Sequence, residues 1–150
     1  MKRKQFVKFG VLFFAITFLL IAVIIIGRSV HLAKSNIENV KINLGSSEAY
    51  SPEELQAAAD VILEEISSWN SVKKVYAISY CCDESTPNNE NYCRGFISTE
   101  YAHCAVFDSS FKTSGSALSE GFNPDSVYDG WHWIVVKDEN NEWKLLDWGY

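Results

Sequence analysis

The sequence predicts an α+β domain carried behind one membrane helix, and three observations lead there. Nineteen uncharged residues, Phe9 to Gly27, follow a basic start. A capped helix pattern then opens at Ser51. From Val72 onward the apolar period changes from helical to alternating, with turn signals between the runs.

The chain has 150 residues and a formal charge of −6, but the charge is divided. Six basic residues and no acidic one precede Ser35, giving +6. After it, seven basic residues face all nineteen acidic ones, giving −12. An apolar content of 47% excludes a fully disordered chain. The acidic bulk argues against a nucleic-acid partner, since phosphate binding needs a basic face.

As a helix rising ~1.5 Å per residue, residues 9–27 span roughly 28 Å, close to the ~30 Å hydrocarbon core of a bilayer. The lipid bilayer is thus the first expected partner. A cleaved signal peptide is the alternative, but the apolar run is long for one and His31-Leu32-Ala33 is a poor cleavage site. Lys2, Arg3, Lys4 and Lys8 precede the helix while Arg28 and Lys34 follow it, so residues 1–8 are expected in the cytoplasm and the acidic domain outside. Residues 28–49, which include Gly45-Ser46-Ser47, read as a polar stalk. Residues 50–150 form the domain proper.

Its first element is a helix from Pro52 to about Trp69. Ser51 and Glu54 have capping-box spacing, Pro52 suits the first helical position, and Tyr50 can staple onto Leu55. Leu55, Ala58, Ala59, Ile62, Ile66 and Trp69 make one apolar face. About four strands follow. Val72 to Cys82 alternates, with Val75, Ala77, Ser79 and Cys81 expected on one side and Tyr76, Ile78, Tyr80 and Cys82 on the other. A further strand is expected at Cys104 to Phe111, a long loop over 112–130, and a final hairpin of Trp131 to Lys137 with Glu142 to Tyr150.

In that hairpin a four-residue loop sets His132 opposite Asp147, and a two-residue Asn140-Asn141 turn shifts the pairing by two without changing faces. One face then holds His132, Ile134, Val136, Trp143, Leu145 and Asp147, and the other Trp131, Trp133, Val135, Lys144, Leu146, Trp148 and Tyr150. Both faces are apolar, so a single helix cannot cover the sheet alone.

Three sets of residues could carry function. His132 with Asp147 is the candidate catalytic pair, since a carboxylate can orient an imidazole for proton transfer; the competing reading is a structural hydrogen bond. The five tryptophans, Trp69, Trp131, Trp133, Trp143 and Trp148, could line a ligand or carbohydrate-binding surface, with Trp131, Trp133, Trp148 and Tyr150 as the candidate aromatic face, against the plainer reading that tryptophans at strand period are core. Cys81, Cys82, Cys93 and Cys104 suggest two disulfides in an exported domain. Linking the neighbours Cys81 and Cys82 needs a strained ring, which leaves Cys81 and Cys82 each bonded to Cys93 or Cys104. Free buried thiols are the alternative to disulfides; the spacing is poor for zinc, and neither a metal nor any other cofactor is expected.

The run WHWIVVKDENNEWKLLDWGY, together with the capped SPEEL helix and Ala105–Phe111, resembles a family of uncharacterised extracytoplasmic domains of Gram-positive bacteria, related to the cystatin-like and nuclear-transport-factor-2-like folds. The resemblance rests mainly on Trp143, Asp147, Trp148, Gly149 and Tyr150 and covers residues 50–150. It implies a helix laid across a curved antiparallel sheet, attached to the membrane, with no established activity; the Cys81-Cys82 doublet departs from it. The functional expectation is a binding module for a protein, peptide or small ligand. An enzyme using His132 and Asp147, or a subunit of a cell-envelope complex, are the alternatives.

Overall fold

A computed structural model of the chain describes residues 36–86, Cys93, Tyr101 and residues 103–150. The chain divides into Met1–Lys34 and Ser35–Tyr150, and every described residue belongs to the second unit. The basic tail, the membrane helix expected at 9–27 and the first part of the stalk lie outside the described residues. Among the described residues no helix is long and apolar enough to cross a membrane.

One helix, α1 (Pro52–Ser68), packs on a five-stranded sheet of β1 (Lys41–Asn43), β2 (Val72–Asp83), β3 (His103–Thr113), β4 (Val127–Lys137) and β5 (Trp143–Gly149). The strands lie in sequence order, with β1 parallel to β2 and every other neighbour antiparallel. The mixed α+β class is as the sequence implies, with one strand more than expected. That strand, β1, comes from the segment read as stalk; three residues are too few to show a period.

The helix forms where its end signals place it. Ser51 Oγ accepts from the Glu54 N–H at 3.3 Å and Glu54 Oε2 accepts from the Ser51 N–H at 3.0 Å, so two otherwise orphaned donors are satisfied. Leu55, Ala58, Ala59, Ile62 and Ile66 are buried against Val75, Ile78, Phe107, Phe111, Trp133 and Val135. Full burial of a side chain such as Ile62 contributes about 1.5–3 kcal/mol. The two alanines let the helix backbone approach the sheet.

Register shifts between Val75 and Ala77, and between Tyr80 and Cys82, break the expected alternation of β2. Each inserts an extra residue and exchanges the faces beyond it. Val75, Ile78 and Tyr80 therefore all face the helix side, while Cys82 turns to the opposite face.

The hairpin face assignment is corrected for the same kind of reason. The loop is Asp138–Glu142, five residues, because Lys137 pairs with Trp143. Asp138 closes it by accepting the N–H groups of Asn140 at 2.9 Å and Glu142 at 3.0 Å. A shift between Ile134 and Val135 then restores the expected register toward the strand end. Trp143 and Leu145 consequently pack with the helix-side core, and Leu146 packs behind the sheet.

That rear face is apolar at one end, where Cys82, Cys93, Cys104, Val106, Ile134 and Val136 cluster with Tyr101 and Leu146. At its other end lie Asp108, His132, Ser110 and Asp129. The region expected as one long loop, 112–130, holds a short 3₁₀ turn, Ala117–Glu120, and the first residues of β4.

Candidate functional site

Aromatic side chains gather where α1 ends. Trp69 caps the helix, with its indole Nε1–H donating to Glu65 Oε1 at 3.0 Å. The chain then crosses the sheet, and the 3₁₀ turn brings Glu120, Gly121 and Phe122 back beside Trp69. Gly121 has φ of 86°, a left-handed conformation that admits glycine without cost, and an added Cβ meets nothing within 4 Å. The backbone turn, not space, is what requires glycine here. Trp131 from β4 and Trp148 from β5 complete the enclosure.

The result is an open cleft of about 360 Å³ lined by Trp69, Glu120, Gly121, Phe122, Trp131 and Trp148. The planes of Trp69 and Trp131 are nearly perpendicular, at 88°. Trp148 stands 5.9 Å from Trp69, centroid to centroid, and Phe122 stands 5.5 Å from Trp131. Rings also fix the outer wall, since Tyr128 and Tyr150 pack against Trp131 at 5.9 and 5.1 Å. Glu120 accepts the Ser71 N–H through Oε2 at 3.3 Å. None of the lining residues is basic.

The four residues of the expected aromatic face separate. Trp133 is fully buried, and its Nε1–H donates to Ser109 Oγ at 2.8 Å, so it belongs to the core. Its cross-strand partner Trp148 is 46% exposed and forms the cleft with Trp131. Tyr150, 76% exposed, supports Trp131 from outside. Trp69, one of the five tryptophans that the sequence offers for a binding surface, lines the cleft, whereas Glu120 and Phe122 are not singled out by the sequence. The aromatic Phe122 beside a glycine, in an otherwise polar loop, was the available signal.

A second aromatic assembly lies at the other end of α1. Lys137 is only 7% exposed, and its ammonium stands 5.3 Å from the Tyr50 ring centroid and 5.0 Å from that of Trp143. It donates to Glu54 Oε1 at 2.7 Å. That hydrogen bond, with the Ser51 N–H next, lowers the Glu54 pKa to about 2. Burial, and then the hydrogen bond to Glu84, push the Tyr50 phenol upward.

The expected His132–Asp147 opposition does not occur. The bulge in β5 sets His132 against Gly149 and Asp147 against Ile134. His132 Nδ1 instead pairs with Asp108 on β3, while exposed Asp147 accepts the N–H of its neighbour Trp148 at 2.9 Å.

The cysteine pairing is also corrected. Cys93 and Cys104 form a disulfide, and Cys81 and Cys82 are free thiols. The bulge turns Cys82 into the rear cluster and leaves Cys81 exposed. Burial pushes the Cys82 thiol up to about 12 and raises that of Cys81, so both favour the protonated form at neutral pH. Among the described residues no group of three or more His, Cys, Asp or Glu side chains is gathered as a metal ion requires.

No family model, curated protein or solved structure matches this chain. The functional reading therefore rests on the geometry of the cleft.

Proposed function

We propose that this chain is a membrane-anchored extracytoplasmic binding module, held by residues 9–27 in the bilayer with its N-terminus in the cytoplasm, and that the aromatic cleft is its ligand site. The observation that carries the reading is the contrast between paired neighbours: Trp133 is wholly buried while Trp148 is 46% exposed beside Trp69, Trp131 and Phe122. A large exposed ring such as Trp148 beside a concavity is costly to leave wet, and aromatic walls give a ligand most of its contact energy. The resemblance to uncharacterised extracytoplasmic domains and the divided charge support the location, and the Cys93–Cys104 disulfide suits an oxidising compartment.

Two measurements test the two halves of this reading. A membrane-impermeant maleimide applied to intact cells should label Cys81 without reductant; labelling only after lysis places the domain inside and overturns the location. For the site, full-length chain carrying 5-fluorotryptophan is screened by ¹⁹F resonance against small cationic, anionic, neutral and sugar fragments. Fragments that bind should move the Trp131 and Trp148 signals and leave Trp143 in place. If none moves Trp148, the cleft is not a ligand site.

A further inference from the structure

We propose that the cleft receives a quaternary ammonium group, an inference that rests on the cleft being a ligand site and names what fills it. Four aromatic residues line one concavity, Trp69 and Trp131 among them with perpendicular ring planes, and Glu120 adds a carboxylate to the lining. No lysine or arginine is among the lining residues.

The helix adds to this field. Trp69 is the C-cap of a 17-residue helix whose last turn contains no basic residue, so the partial negative charge of its terminal carbonyls has no side-chain cation on α1 itself. Glu65 contributes a further carboxylate, held on the edge of Trp69 at 3.0 Å.

The same domain shows what such an assembly does with a cation. At the opposite end of α1, Tyr50, Trp143 and Glu54 enclose the ammonium of Lys137. The open cleft has the same ingredients in larger number and lacks a lysine of its own. It differs in one chemical respect. Glu54 gives a lysine N–H a direct acceptor at 2.7 Å, whereas exposed Glu120 already engages the Ser71 N–H and stands at a rim of mostly aromatic walls. A methylated nitrogen, which has no N–H to satisfy and is cheaper to desolvate, fits those walls better than a primary amine. About 360 Å³ accommodates a trimethylammonium head with room for the chain that bears it.

The test uses full-length protein in phosphatidylglycerol nanodiscs, which carry no choline, and follows tryptophan fluorescence and calorimetry. Choline is titrated against 3,3-dimethylbutan-1-ol, its neutral isostere of nearly the same shape. Choline should bind saturably and on the order of tenfold more tightly than the isostere. Glu120→Gln should weaken choline several-fold without changing the isostere, and Trp148→Ala should abolish both responses while the protein keeps its melting temperature. Repeating the titration in phosphatidylcholine discs assigns the source: suppressed choline binding means bilayer headgroups reach the cleft, and unchanged binding means a soluble ligand. Equal affinity for choline and isostere overturns the quaternary-ammonium assignment but leaves the ligand site standing. A sugar or anionic fragment that moves Trp148 when choline does not has the same meaning. If neither choline nor any fragment perturbs Trp148, both readings fail.

Discussion

The two ends of α1 are built from the same materials and put to opposite use. At the N-terminal end, Tyr50, Trp143 and Glu54 close around Lys137, which is 7% exposed. Fifteen residues on, roughly 20 Å along the helix, Trp69, Phe122, Trp131, Trp148 and Glu120 leave their concavity open. On the proposed reading, aromatic side chains beside a carboxylate are a structural device when the chain supplies the cation, and a binding surface when it does not. The difference lies in one side chain, not in the aromatic content.

The largest effect should come from emptying the closed end. Lys137→Ala removes a buried ammonium, its charged hydrogen bond and its contact with two rings, and should cost about 2–3 kcal/mol in urea unfolding. If the closed end is truly a cation cage, millimolar n-propylammonium should restore part of the lost melting temperature, and propanol should not. A loss of stability that propanol restores equally would make the site an apolar packing cavity.

A smaller change separates charge from shape. Glu54→Gln keeps the side chain's size and should cost about 1 kcal/mol at pH 7, limited because the carboxylate is partly solvated. The pH dependence follows from its lowered pKa of about 2. A carboxylate whose folded pKa lies below its usual value of 4.5 stabilises fully above that value, and the contribution disappears as pH falls toward about 2. The gap between parent and Glu54→Gln should therefore narrow from pH 5 down to pH 2. A constant gap would mean that the Lys137–Glu54 contact contributes through packing alone.

The smallest effect on stability should come from the open end. Trp148→Ala removes a ring that is 46% exposed, and should shift the unfolding free energy by less than about 1 kcal/mol. A loss of about 3 kcal/mol or more would put Trp148 in the core with Trp133, where truncation is expected to cost about 3–5 kcal/mol, and would remove the distinction between the two.

Local signals made part of this legible in advance. The helix was readable because Ser51, Pro52 and Glu54 act within one turn, and its buried stripe repeats at 3.6 residues. The long strands were readable from alternation. What failed was everything that depends on an extra residue: one bulge separates Cys81 from Cys82, and a five-residue loop moves Trp143 and Leu145 to the helix side before a second bulge restores the parity with His132 opposite Gly149 instead of Asp147. Sequence parity cannot see a bulge, because the insertion is decided by packing on both faces. The cleft was half visible. The tryptophans Trp69, Trp131 and Trp148 stood out, but Glu120 and Phe122 reach them only after the chain has crossed the sheet. Lys137 looked like an ordinary polar strand end, and its burial depends on Tyr50 and Glu54, more than eighty residues earlier.

The central claim is that the open end of α1 does for a ligand cation what the closed end does for Lys137. Intermolecular nuclear Overhauser effects from the choline methyl protons to the full-length chain test it most directly. Contacts to the indole protons of Trp69, Trp131 and Trp148, with none to Trp143, are the expected result. Contacts to Trp143, or none to the three tryptophans of the cleft at saturating choline, would contradict it.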